Sequence, residues 1–417
     1  MNDTASVGTM PLPVHAPAAH APSNALIKPG YHPRLTNEDL APLRQQTWGR
    51  YNIFAFWMSD VHSVGGYITA GSLFALGLSS WQVLVALLVG ICIVQFFCNL
   101  VAKPSQVTGT PYPVICRASF GVLGANIPAI IRGLIAVAWY GIQTYLASAA
   151  FMVVALHFFP HWAPYADVAK HGFAGLSALV VSYFSGPMLN FGDFSRYAKD
   201  FEAVKKGNFW GLPVNFLFFS LLTVITTAAT LPVFGELITD PVHTVSKIDS
   251  TTAVVLGALT FMVATVGINI VANFVSPAFD FSNVAPQHIS WRTGGMIAAV
   301  GSIFITPWNL YNNPEVIHYT LDILGSFIGP LFGILIADYY LVQKQKINVD
   351  ALYSMDPRSA YWYSNGYNRK AVWAMVPGAA VPMLCVLLPA LHGAANYAWF
   401  IGTGVGFAAY VLLNRGK

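Results

Sequence analysis

The sequence predicts an all-α integral membrane protein, and three observations predict it. Of the 417 residues 55% are hydrophobic and only 9% are charged, with a mean hydropathy of +0.56. Soluble domains carry about 25% charged residues, so this chain has too few charges to cover a water-facing surface. The apolar residues gather in runs of about 20, the length that crosses a bilayer as a helix. Lysine and arginine sort to one side of those runs.

Residues 1–47 stand apart from the rest. The stretch "TMPLPVHAPAAHAPSNALIKPGYHP" is rich in Pro and Ala and shows no periodic pattern, so residues 1–47 are expected to form a disordered cytoplasmic tail. Residues 48–417 are read as the transmembrane domain. A basic stretch followed by a short apolar core is missing, so no cleavable signal peptide is expected and the first span serves as the insertion signal. The cysteines Cys92, Cys98, Cys116 and Cys385 show no metal-ligand spacing, and neither a disulfide framework nor a metal site is read from them.

Ten candidate spans follow, at 52–77, 81–101, 127–157, 174–191, 212–235, 252–276, 294–311, 316–341, 372–391 and 395–413. An even number puts both termini on one side. With both termini cytoplasmic, 19 of the 21 Lys and Arg residues fall inside, and only Lys170 and Lys247 fall outside. The positive-inside rule therefore orients the chain with both ends in the cytoplasm, in the plasma (inner) membrane.

Two spans look broken. In "WMSDVHSVGGYITAG" the pair Gly65-Gly66 follows Asp60, His62 and Ser63, and in "YFSGPMLNFGDFSRY" Gly186-Pro187 interrupts an apolar run. Proline removes a backbone donor and clashes with the preceding turn. Broken helix is tolerated at membrane depth only where it lines a cavity or is buried in protein, and paired breaks in two halves of a chain point to a transporter site. Kinks or close helix packing are the alternative.

Asp60 is the most unusual residue within a span. A carboxylate at the bilayer centre costs about 2.5–3.5 kcal/mol on insertion scales. It is read as a proton or cation coupling group, against a buried hydrogen bond to a neighbouring helix. For His62 a satisfied core histidine is favoured over a proton carrier. In "RGLIAVAWYGIQTYLASAAF", Trp139 and Gln143 are four residues apart and share a helix face. An indole plate beside a carboxamide suits a flat, hydrogen-bonding ligand; packing and helix–helix bonding are the alternative. Asn269 and Asn273, one turn apart, are either helix–helix glue or ligand contacts. Asp193 and Arg196 are expected to pair locally on a solvated cytoplasmic anchor. No HExxH motif, catalytic aspartate pair or Ser–His constellation is present, so no enzyme is expected.

The stretches "TWGRYNIFAFWMSDVHSVGGY", "GTPYPVICRASFG", "WYGIQTY", "NFGDFSRYAK", "NIVANFVSPAF", "TPWNLYNNPE" and "ADYYLV" resemble, in that order, the first nucleobase:cation symporter family. That family includes hydantoin, allantoin, uracil and cytosine permeases. The resemblance runs from about Trp48 to Tyr367. It implies a leucine-transporter-type fold of two inverted five-helix repeats plus two helices, with substrate between the broken first and sixth helices and the third and eighth. It implies that Trp139 stacks on a planar heterocycle, that Gln143 and Asn273 hydrogen-bond it, that Phe184 stands where the family has a second stacking tryptophan, and that Ser63 contributes from the first break.

Two departures from the family stand out. Sodium-coupled relatives use backbone oxygens of the first helix with backbone and hydroxyl oxygens of the eighth. The corresponding backbone positions are Ser59, His62 and Ala264. The hydroxyl positions are Gly267 and Ile268, which carry no side-chain oxygen, whereas a hard cation needs oxygen ligands. Proton coupling, through Asp60, is therefore expected over Na+. Second, ten spans are counted where the family has twelve, and family helices four and five are absent, removed near Gly175–Ala178. Two spans and their loops take roughly 60–80 residues.

The implied function is secondary active symport of a nucleobase or ureide such as uracil, allantoin or hydantoin, by alternating access, with no cofactor beyond the coupling ion H+. Its partners are a small heterocycle and the lipid bilayer, not nucleic acid. Two alternatives stay open: a shortened, non-transporting sensor or subunit, and an amino-acid or amine carrier of the same fold, for which Trp139 and Gln143 offer no ion partner.

Overall fold

Helix follows helix from Arg50 to Asn414. The computed structural model describes residues 24–62, 64–162, 186–305, 314–395 and 397–415. Helices satisfy their own backbone, which hydrocarbon cannot do for them.

The first span is broken, as expected, but not at its glycines. Helix α1 (Arg50–Val61) ends where His62 leaves helical geometry at φ −87° and ψ 85°, and α2 (Val64–Ser72) begins two residues on. Gly65 and Gly66 lie within α2. Next come α3 (Ser80–Thr108), the short α4 (Tyr112–Phe120) and α5 (Asn126–Phe158). Gly109 closes α3 in the left-handed region at φ 70°, where glycine pays no Cβ penalty.

After a helical turn at Gly192–Ser195 come α6 (Phe201–Phe234), the short α7 (Pro241–Ser246), α8 (Thr251–Val284) and α9 (Trp291–Phe304). Then follow α10 (Pro314–Ile336), α11 (Arg369–Leu387) and α12 (Ala398–Asn414). Helices α6 and α8 each contain a five-residue π segment, Trp210–Val214 and Val271–Val275, and α10 runs on into a third, Ala337–Val342. Such segments recur at functional sites.

Six helices among the described residues are long and apolar enough to cross a membrane. They correspond to the expected spans at 81–101, 127–157, 212–235, 252–276, 316–341 and 372–391. The span at 52–77 is split into two pieces, that at 395–413 is the 17-residue α12, and that at 294–311 is described as far as Ile305. The one at 174–191 lies outside the described residues up to Ser185.

Small residues let the helices meet closely, as in membrane bundles. Gly207 and Gly211 of α6 seat Ile53 and Trp57 of α1. Gly329 and Gly333 of α10 meet the α12 backbone at Trp399 and Thr403. On the outside, large apolar side chains such as Phe218, Leu222, Ile225 and Phe304 are exposed, which suits a lipid-facing surface.

The expected disordered tail is corrected over 24–47. Leu40 and Ala41 are fully buried, Tyr31 stacks on Tyr353 at 4.4 Å, and Leu35 and Leu40 join a core cluster with Leu352 and Tyr361. Apolar anchors at Tyr31, Leu35 and Leu40 hold this stretch although no helical or strand period marks it. Residues 1–23 lie outside the described residues. The end of the bundle carrying this segment is called here the tail end.

Candidate functional site

The midpoints of α5 and α8 and the start of α2 come together beside the first break. Val64 and Ile68 of α2 pack with Ile142 and Leu146 of α5 in one buried cluster, against which Trp139 also lies. Asn269 of α8 donates to the Tyr140 carbonyl at 3.1 Å and to Thr144 Oγ1 at 3.0 Å, tying α8 to α5. Asn273 donates in turn to Asn269 Oδ1 at 3.1 Å. Asn269 is thus helix–helix glue, and Asn273, inside the π segment, extends from it.

Trp139 is half-buried, and Gln143, one turn on, is 2% exposed with no hydrogen-bond partner for Oε1. Buried polar atoms almost always have partners, so this acceptor stands open. Ser63 and Phe184 lie outside the described residues.

The proposed coupling residues divide. Asp60 is fully buried in the last turn of α1, and neither carboxylate oxygen has a hydrogen-bond partner. Ser59 is half-buried. His62 Nε2 pairs with Asn215 Oδ1 of α6 at 2.9 Å and the ring meets Phe219 edge-on. On α8, Ala264 is half-buried, Ile268 is buried, and open space surrounds Gly267.

Besides Gly267 and Ile268, which carry no side-chain oxygen, α8 brings one hydroxyl to the break. Thr265, next to Ala264, is fully buried and its hydroxyl accepts from the Val64 N–H at 3.4 Å, directly at the break.

A correction concerns Asp193 and Arg196. They do not sit on a solvated anchor: they are 0% and 1% exposed. Arg196 donates to the carbonyls of Asp39 and Ala41, both at 3.0 Å, while Asp193 accepts from the Tyr112 N–H at 2.8 Å. The packed segment 24–48 covers Arg196, while Asn190 donates to Asp193 Oδ2 at 3.2 Å. Arg132, counted with the cytoplasmic loops by charge, lies inside α5 at 1% exposure and donates to the Ala272 carbonyl at 3.2 Å.

Comparison with known proteins gives the family context. A family profile described as permease for cytosine/purines, uracil, thiamine, allantoin matches residues 41–181 and 171–402. The chain is 31% identical to an allantoin permease of Bacillus subtilis, over 92% of this chain and 94% of that protein. It is 29% identical to the purine-uracil permease NCS1 of Arabidopsis thaliana, over 92% and 79%. The fold resembles that of Mhp1, a nucleobase-cation-symport-1 family transporter, closed with bromovinylhydantoin bound, with a TM-score of 0.70 at 20% identity over 95% of each chain. The Bacillus alignment extends over 460 positions, although 92% of the 417 residues here enter it, so roughly 75 positions face no residue of this chain. The two profile matches meet at 171–181, where two spans were expected to be absent.

Proposed function

The chain belongs to the family of permeases for cytosine/purines, uracil, thiamine and allantoin, as an integral membrane transporter of leucine-transporter-type fold rather than an enzyme, and from that premise we propose that it imports a small planar, amide-bearing heterocycle such as allantoin, uracil or hydantoin by proton-coupled alternating access. The observation that carries the substrate class is the open acceptor of Gln143 beside Trp139. A buried polar atom left unpaired costs about 1–3 kcal/mol, which a ring N–H of a ureide or pyrimidine recovers while its face stacks on the indole. Asn273 supplies a further polar contact, and the roles that the family resemblance gives Ser63 and Phe184 fall outside the described residues. An amino acid would bring a charge for which Trp139 and Gln143 offer no partner.

Proton coupling is supported by Asp60, a buried carboxylate with no hydrogen-bond partner beside the break. Thr265 offers one hydroxyl, already engaged by Val64, and Gly267 and Ile268 offer none. The distribution of Lys and Arg supports cytoplasmic termini.

The test is uptake of radiolabelled allantoin, uracil and hydantoin into proteoliposomes under an imposed pH gradient, with and without sodium. Accumulation driven by the pH gradient alone is expected; uptake that needs sodium and ignores pH sinks the coupling. A second reading, a shortened form that binds without transporting, is favoured by the roughly 75 missing positions. Binding with no flux, and flux restored when the two family helices are inserted near Gly175–Ala178, supports that reading. Robust uptake by the 417-residue chain removes it.

A further inference from the structure

Beyond Asp60, the bundle buries a second acidic site that the substrate reading does not use. Asp193, after the second break, and Asp280, near the end of α8, are both fully buried. The Asn190 amide donates to Asp193 Oδ2 and to Asp280 Oδ2, each at 3.2 Å, so the two carboxyl groups converge on one nitrogen. Asp193 Oδ1 takes the Tyr112 N–H, whereas Asp280 Oδ1 has no partner.

Arg132 supplies an independent pointer. It is 1% exposed, and its Nε and Nη1 have no partner. A Cβ on Gly186 would lie 3.2 Å from its Nη2, so the guanidinium lies against Gly186, within the field of Asp280, Asp193 and Asp60. The other titratable groups facing the pair are Tyr112 and Cys116 on α4, and Arg196 acts on Asp193. Arg196 itself is committed to the carbonyls of segment 24–48.

We propose that Asp193 and Asp280, bridged by Asn190 and faced by Arg132, form a proton-binding site at the tail end of the bundle, holding one proton between them. Two carboxylates on one amide cannot both ionise cheaply in a dry interior, and a proton on one lets it donate rather than repel. Protonated, the pair fastens the segment from Gly186 to Ala198 to α8 and α4. When the proton leaves to water, the repelled carboxylate draws on the free nitrogens of Arg132 and the fastening loosens. The site rests on the proton-coupled reading and extends it: Asp60 takes a proton at the first break, the pair holds one beside the second, and Arg132 lies within the field of both.

The test is infrared difference spectroscopy of the full chain in lipid nanodiscs, titrated from about pH 5 to pH 9, a span that brackets shifted carboxyl groups. The protonated-carboxyl band is followed in an Asp60→Asn background. A titrating band is expected, and either single replacement, Asp193→Asn or Asp280→Asn, is expected to remove all of it, because the remaining carboxylate then pairs with Arg132. No titrating band, a band indifferent to both changes, or a band that each change halves overturns the shared proton. Asp280→Glu guards against misfolding: it keeps a carboxyl there and should move the titration midpoint rather than erase the band. The spectroscopy does not depend on transport. Sodium-driven uptake with the shared band intact removes the coupling reading and leaves the site; proton-driven uptake without the band does the reverse.

Discussion

The unit α10–α11–α12 and the region around the first break are both buried helical packing, but they treat polar groups in opposite ways. In the first, Tyr410 donates to Asp338 Oδ1 at 2.8 Å, Ser119 donates to Asp338 Oδ2 at 3.0 Å, and Asn368 donates to the Ser119 carbonyl at 2.7 Å. Among the described residues of α10–α12, Trp399 Nε1 is the one buried side-chain polar atom without a partner. Around the break, Asp60, Gln143 and Arg132 all carry buried atoms without one. A satisfied network holds a single arrangement; unsatisfied groups at membrane depth are expensive and mark function. The first unit is a frame, and the second is where the proposed ligand and ion would act.

The sharpest way to break this contrast is to damage the frame. A Cβ at Gly333 would collide with the Thr403 carbonyl and reach 2.9 Å from the Phe407 nitrogen. These are backbone atoms of α12 and cannot swing aside. Gly333→Val is expected to force α10 and α12 apart, with an overpacking cost of about 1–3 kcal/mol or more. Little monodisperse protein should survive size-exclusion chromatography. A normal yield and elution profile would show that the frame tolerates separation.

The site should answer differently. Trp139→Ala and Gln143→Ala are expected to leave yield near that of the parent while weakening allantoin binding at least tenfold, or about 1.4 kcal/mol. Equilibrium binding with labelled allantoin measures this. Loss of folding together with loss of binding would make the two residues structural instead. Between these extremes stands Asn269→Ala. It removes two bonds from α8 to α5, each contributing about 0.5–1.5 kcal/mol net. It should lower Tm by a few degrees and weaken binding modestly through displacement of Asn273. An unchanged Tm would show that the two helices need no polar tie.

How much of this was legible in the sequence follows from what each signal depends on. The spans were legible because apolar length is a local property: the expected 127–157 and the observed Asn126–Phe158 differ by one residue at each end. The first break was legible to within three residues, because polar residues and glycines cluster there, but the chain unwinds at His62 and keeps Gly65 and Gly66 helical. Spacing placed Trp139 and Gln143 on one face of α5 and left ligand contact and helix packing both open. Thr265 was missed because its relation to Val64 depends on how α8 is rotated against α2, which no local pattern fixes. Arg132 was assigned by charge to a loop because its partners lie far along the chain. Arg196 was misread as solvated because segment 24–48, which covers it, has no periodicity to announce that it packs, and Asp193 because its partner Tyr112 lies 81 residues away in sequence.

That segment offers the smallest effect, and it tests whether the cover over the tail end is itself part of the frame. Lys28 Nζ lies 2.7 Å from Asp350 Oδ1, and the Tyr31 hydroxyl donates to the same oxygen at 2.8 Å. The Lys28 hydrogen bond, and after it that of Tyr31, holds the Asp350 carboxyl below its ordinary range. A carboxyl held low in the folded state stabilises it above the unfolded value, about 3.9, and that contribution is lost as pH falls through the lowered value. The side chains are 45% and 59% exposed, so solvent screening limits the pair to about 0–1 kcal/mol. Lys28→Ala should therefore leave Tm within about 2 °C of the parent at neutral pH and raise the rate of proteolysis within 24–48 less than about fivefold, the factor that 1 kcal/mol allows. Acidification of the parent through the carboxylate range should reproduce the same increase, and the variant should respond less to that acidification. A large rise in proteolysis on removing Lys28 at neutral pH, disappearing on acidification, would place the hold on this segment in its charge pair. A small one leaves it with Tyr31, Leu35 and Leu40, whose buried contacts do not titrate in that range.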